Sequence, residues 1–214
     1  HGKRHYIESN PTSDVDAPKK SKTLPKYLTV DEAVRLLEAV KRDTESKTVV
    51  RDYAIITLFL NTGMRLSELV SLNLSDIRSN NTLVVTGKGN KERTIYLNDA
   101  CVDAINTYLP VRPVDGVKDK DALFISRQKG RISPKTVQYT VKKYIKLADL
   151  DPTKYSTHKL RHTAATLMYL AGMDVFNICS VTGHSSIAML KKYIKADEIE
   201  RARTISSDAA FSKW

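Results

Sequence analysis

Four kinds of side chain, at fixed spacings, equip this chain for attack on a phosphodiester. His158 and Arg161 stand three residues apart in His158-Lys159-Leu160-Arg161-His162, a separation that puts both on one face of a helix. About twenty residues further on, His184 follows Gly183, and Tyr193 comes nine residues later in Lys192-Tyr193-Ile194. Upstream, Thr62-Gly63-Met64-Arg65-Leu66-Ser67-Glu68 supplies a second arginine. Guanidiniums present rigid donor forks to phosphate oxygens and stay protonated. Imidazoles move protons, and a phenol becomes a nucleophile when a neighbour accepts its proton. A leaving alkoxide needs a donor, which Lys88 in a glycine-flanked turn can provide.

Each residue alone has a plainer reading. Arg65 suits a solvated arginine after a glycine cap, and Lys88 an exposed turn residue. His158 with Arg161 suits a surface pair, and His184 a helix cap. Tyr193, three from Leu190 and four from Met189, has the spacing of a core tyrosine. The combination carries the case, because phosphoryl transfer depends mainly on positioning and on stabilising charge at the non-bridging oxygens.

These residues need elements to hold them. Residues 1–26 contain Pro11, Pro18 and Pro25, a Lys19-Lys20-Ser21-Lys22 cluster and no apolar period, and read as an extended basic linker. Thr29-Val30-Asp31-Glu32 is a capping box opening a helix through Ala33, Leu36, Leu37 and Val40. An apolar helix over about 49–61 stops at Gly63, a natural left-handed cap, and a short helix from Ser67 to about Leu72 follows Arg65. Period-two runs at 83–86 and 93–97 flank Gly87-Lys88-Gly89-Asn90-Lys91-Glu92 and predict a β-hairpin. Asn98 or Asp99 caps a helix reaching Leu109, and Asp121–Ile125 reads as one more short strand. Ser133-Pro134 opens a helix to about Leu150. Helices near 158–171, 174–181, 186–195 and 197–205 complete a fold that is mainly α with a small antiparallel sheet.

The composition narrows the class. At 214 residues and 41% hydrophobic content, the chain suits one domain with a real core. No apolar run approaches the ~18–20 residues of a membrane span, so no membrane association is expected. No signal-peptide pattern is present and the first residue is His, which reads as a fragment or processed chain. Cys101 and Cys179 lack a partner motif, which fits a reducing compartment; no histidine stands at metal-ligand spacing from either, so no metal is expected. Thirty-five Lys and Arg against 24 Asp and Glu give a net charge of +11. That excess suits a polyanionic partner, nucleic acid before anionic lipid.

The motifs, taken in order, resemble the tyrosine site-specific recombinases, a family that includes phage and conjugative-transposon integrases and Xer-type recombinases. Thr62-Gly63-Met64-Arg65-Leu66-Ser67-Glu68-Leu69 is similar to its first arginine box, and Gly87-Lys88-Gly89-Asn90-Lys91-Glu92-Arg93 to its lysine hairpin. His158-Lys159-Leu160-Arg161-His162 resembles its His-x-x-Arg box, and Thr182-Gly183-His184 through Tyr193 the segment ending in the nucleophile. The resemblance runs from about Leu24 to Lys195. It implies the DNA breaking-rejoining catalytic fold over 27–195, with residues 1–26 as interdomain linker and 196–214 as a tail that docks on a neighbouring protomer or frays.

By the same resemblance, Tyr193 attacks a DNA phosphodiester to form a 3′-phosphotyrosyl link and release a 5′-hydroxyl. Arg65 and Arg161 hold the non-bridging oxygens, and His158 accepts the Tyr193 proton or binds phosphate. His184 donates to the phosphate, Lys88 (or Lys91) protonates the leaving oxygen, and Glu68 fixes the arginine segment. No cofactor and no metal are implied. The partner is double-stranded DNA, engaged by a homotetramer in the synaptic complex, with the isolated domain a monomer in the bacterial cytoplasm at the nucleoid. Lys91, Arg131, Lys135 and Lys159 are the expected DNA-binding residues, mostly toward phosphate. Thr182 before Gly183-His184 departs from the commonest Xer form and leans toward a mobile-element integrase. A type IB topoisomerase, an inactive DNA-binding module and a basic nuclease are the competing readings.

Overall fold

The computed structural model describes residues 27–87 and 89–184. Its organising element is α2 (Val49–Thr62), which packs against α1 (Val30–Arg42), α4 (Asp99–Tyr108) and α6 (Thr157–Leu170). A helix contacted from three sides must be apolar nearly all round, and Ala54, Ile55, Ile56, Leu58 and Phe59 have no exposed surface. Each such burial contributes roughly 1.5–3 kcal/mol. Truncating Phe59 to Ala would cost about 3–5 kcal/mol, through lost transfer energy and the cavity left behind.

Local signals set the helix ends. Thr29 Oγ1 accepts from Glu32 N at 3.2 Å and Glu32 Oε2 accepts from Thr29 N at 2.8 Å, the expected capping box. Gly63 closes α2 with φ +59°, where a side chain would be strained. The short helix after Arg65 is α3 (Leu66–Ser71), and Ser133-Pro134 opens α5 (Pro134–Leu147), three residues shorter than expected. Asp174 caps α7 (Val175–Thr182), which ends at Gly183 with φ +70°.

The hairpin is present as β2 (Thr82–Thr86) and β3 (Glu92–Tyr96), antiparallel, with Leu83 opposite Ile95. A two-residue strand β1 (Ile77–Arg78) extends the sheet in the order β1-β2-β3. It is too short to show an alternation in sequence.

One expected strand is absent. Asp121–Ile125 forms no ladder, only isolated bridges from Ala122 to Asn73 and from Ile125 to Arg131. Its Asp121 and Phe124 carbonyls accept from the backbone of Leu74 and Ile132, and the other three from side chains. Buried Arg112 donates to the carbonyls of Lys120, Ala122 and Leu123, and Arg51 Nη1 donates to Ile125 O at 2.9 Å. Two guanidiniums thus satisfy the buried carbonyls that the backbone of Leu74 and Ile132 does not reach. The helices expected near 186–195 and 197–205 lie outside the described residues.

Candidate active site

The last turn of α7 gathers three arginines. A helix C-terminus leaves its final carbonyls without intrahelical donors and carries a partial negative charge. Here Val181 O accepts from Arg93 Nε at 3.1 Å, Thr182 O from Arg161 Nη1 at 2.6 Å, and Gly183 O from Arg65 Nη2 at 2.6 Å. Arg65 comes from the α2–α3 connection, Arg93 from β3 and Arg161 from α6, so four separate segments meet at one helix end. Arg161 Nη1 also donates to Gly63 O at 2.7 Å, tying the α2 cap to the same point.

Glu68 neutralises two of these cations. Its Oε1 accepts from Arg65 Nη1 at 2.8 Å and from Arg93 Nη1 at 2.9 Å; its Oε2 accepts from Arg93 Nη2 and from the Arg65 backbone N–H. Burial alone would raise the Glu68 pKa, but the hydrogen bonds from Arg93 and Arg65 overcome it and hold the carboxylate at about 2. The structural role expected of Glu68 therefore has a concrete form. Arg65 stays more than a third exposed at its side chain, and each of its terminal nitrogens carries two protons. Its fork can turn toward a phosphate without leaving Glu68.

Two close glycines let these segments approach. A Cβ on Gly63 would lie 2.9 Å from Thr182 Cγ2, and one on Gly183 would lie 2.8 Å from Arg93 Cζ. Both distances are closer than real contacts, so only glycine fits in addition to its positive φ.

The imidazoles line the other side. His158 is exposed near the start of α6, and its Nε2 is 2.8 Å from Nε2 of buried His162, one turn on. Burial and then the His158 charge push His162 down to about 3, so it is neutral at physiological pH. His158 is lowered by burial and by Arg161. His184 is lowered to about 4 by burial and then by Arg161 and Arg65, and its Nδ1 lies 2.6 Å from Thr182 Oγ1.

Of the expected site residues, Arg65, Arg161, His158 and His184 are thus brought together, while Lys88 and Tyr193 lie outside the described residues. Gly87, beside Lys88, is close to Glu68: a Cβ there would stand 3.5 Å from its Oε1. Lys91 and Lys135 are exposed and Lys159 is half-buried. Arg131 is half-buried and engaged within the fold. It donates to Asp119, to the carbonyls of Val70 and Leu72, and to Asn73 Oδ1, which makes it a tie between loops. Arg93 and His162 carry no role in the sequence motifs, although each stands at the end of one. Their signal was position alone, one residue past Glu92 and one past Arg161.

Comparison with known proteins agrees with this geometry. A family model described as the phage integrase family matches residues 26–200. A tyrosine recombinase XerC of Caldanaerobacter subterraneus is 50% identical over 207 residues, covering 96% of this chain and 57% of the relative. The XerC of Psychromonas ingrahamii is 37% identical over 192 residues, covering 89% of this chain and 63% of the relative. The chain thus spans about three-fifths of the length of these curated relatives. Among solved structures, XerA recombinase superposes with a TM-score of 0.72 at 31% identity, covering 85% of this chain and 66% of that one. XerH recombinase, bound to a palindromic difH substrate in a post-cleavage complex, gives a TM-score of 0.78 at 26% identity, covering 95% and 60%. The chain belongs to the phage integrase family, the tyrosine site-specific recombinases.

Proposed function

We propose that this chain is the catalytic part of a site-specific DNA recombinase, cleaving and rejoining strands through a tyrosine-linked intermediate. The observation that carries this reading is the convergence of Arg65, Arg93 and Arg161 on the α7 terminus, with His158 and His184 alongside. Such an array matches the charge that builds up on a phosphate in transition. Tyr193 supplies the nucleophile: its oxygen bonds to phosphorus, the bond to the 5′-oxygen breaks, and Lys88 protonates that leaving oxygen. The phenolic proton passes to an imidazole. The phosphotyrosyl bond retains the energy of the broken one, so the reverse attack by a 5′-hydroxyl reseals the strand.

The partner is double-stranded DNA, with Lys91, Lys135 and Lys159 as phosphate contacts. The XerH neighbour's complex with its difH substrate supports this reading. A homotetramer holding two duplexes, assembled in the bacterial cytoplasm on the nucleoid, is the corresponding working state. The XerC relatives favour an Xer-type role over a mobile-element integrase, despite the Thr182 departure. They also disfavour a topoisomerase, and the presence of Arg65, Arg161 and Tyr193 disfavours an inactive module.

The test is a nicked suicide duplex carrying the target site. The wild-type chain should leave a protein–DNA adduct that survives SDS, and Tyr193→Phe should leave none. An equal adduct from both proteins would refute the assignment.

A further inference from the structure

Thr182 occupies a position between the arginine array and His184 that general phosphate chemistry does not require. Its side chain has no exposed surface. Its hydroxyl lies 2.6 Å from Ile178 O, one turn back on α7, and 2.6 Å from His184 Nδ1. Both contacts are too short to exist without a proton between the atoms. The hydroxyl owns one proton, and the Ile178 carbonyl can only accept. The hydroxyl proton therefore goes to Ile178 O, and the proton between Oγ1 and Nδ1 belongs to the imidazole.

We infer that Thr182 is a positioning residue that locks His184 in its Nδ1–H form, leaving Nε2 as the ring's proton acceptor. This rests on the DNA-cleaving reading above and sharpens it. A neutral His184 in this form takes a proton or a hydrogen bond at Nε2. It donates from Nε2 to a phosphate oxygen only as the imidazolium, the form that a phosphate anion beside the ring would favour.

The surroundings favour the neutral form. Arg161 and His158 face His184 from α6, Arg65 from the loop before α3, and Arg93 from β3, with no carboxylate among these influences. His158 has its own Nε2 2.8 Å from His162 Nε2, whereas His184 is held at Nδ1 by a buried hydroxyl. The backbone reinforces the lock. Gly183 N and His184 N both donate to Cys179 O, at 2.8 and 3.1 Å, which folds His184 back over the end of α7.

The experiment reads the tautomer and the reaction separately, on the full 214-residue chain. Nitrogen-15 chemical shifts of His184 at pH 7 should show a protonated Nδ1 and an unprotonated Nε2, the reverse of the form free imidazoles prefer. Thr182→Ser should keep this pattern and the rate of adduct formation on a suicide duplex. Thr182→Val should move the proton to Nε2 and slow adduct formation about a hundredfold, the low end of what a positioned proton acceptor contributes. Between pH 6 and 8 the wild-type rate should not fall as pH rises, as it would if an imidazolium donor were needed. A wild-type His184 with the proton on Nε2 overturns the proposal, even if Thr182→Val fails to fold. An Nδ1–H pattern without any adduct would leave the lock standing and refute the catalytic reading instead.

Discussion

Arg93 meets Glu68 at two points, Nη1 to Oε1 and Nη2 to Oε2, each at 2.9 Å, and Glu68 is only 2% exposed. Arg65 completes the same carboxylate. One buried anion therefore sets the distance between a β-strand and the loop that presents Arg65.

Removing that charge should be costly. Glu68→Gln leaves the half-buried Arg93 against a neutral partner and should destabilise the fold by about 1–3 kcal/mol, the cost of leaving a donor without its acceptor. Urea unfolding at pH 7 measures this; an unchanged midpoint would show the pair to be dispensable. The acid response gives a second reading. The Glu68 pKa falls from an ordinary 4.5 to about 2 on folding, so its stabilisation is complete above pH 4.5 and lost as pH falls toward 2. The Gln variant should lose that slope.

The buried imidazole shifts stability in a higher window. His162 falls from an ordinary 6.5 to about 3 in the fold, so the unfolded chain binds a proton that the folded one refuses. Stability should be flat above pH 6.5 and decline as pH falls from there, by about 1–2 kcal/mol at pH 5 from this residue. His162→Gln should shallow the decline in urea midpoints measured between pH 7 and pH 5, and an unchanged slope would remove His162 from that window.

Gly183→Ala tests the close approach at the α7 cap. The added Cβ would meet the Arg93 guanidinium at 2.8 Å while forcing a side chain onto φ +70°. The expected loss is about 1–3 kcal/mol, with a fall in adduct formation as Arg93 is displaced from Glu68. A variant with full stability and activity would mean that the α7 terminus can move aside.

Arg161→Lys keeps the charge and loses the fork. Because Arg161 Nη1 bridges the carbonyls of Gly63 and Thr182, a lysine cannot reproduce its placement. Adduct formation should fall at least a hundredfold, while DNA affinity in a filter-binding assay changes less than about threefold, as for a group acting mainly in the transition state. Equal losses in both would assign Arg161 to ground-state binding.

DNA affinity itself should weaken steeply between 50 and 200 mM salt, by about a thousandfold if some six phosphates are contacted. The slope of affinity against salt counts those contacts, and a flat dependence would contradict a charge-driven interface.

Much of the candidate site is legible from residue order. Arg65, His158, Arg161 and His184 stand in local motifs, and local signals place them: a glycine cap before Arg65, a helical spacing for His158 and Arg161, a second glycine before His184. The capping box at Thr29 and the hairpin register are equally local. What only the tertiary structure decided depends on groups far apart in the chain. Arg112 and Arg51 satisfy the carbonyls of Lys120, Ala122, Leu123 and Ile125, so an apparent strand becomes an irregular segment. Arg131, a candidate for DNA, is drawn instead to Asp119 and the backbone at Val70 and Leu72. Arg93 gains its place because the end of α7 presents carbonyls that need donors and Glu68 presents a buried charge that needs pairing. Periodicity reports which face of an element is apolar; it is silent on which distant guanidinium will reach an unsatisfied carbonyl, because that partner is chosen only once the helices have packed.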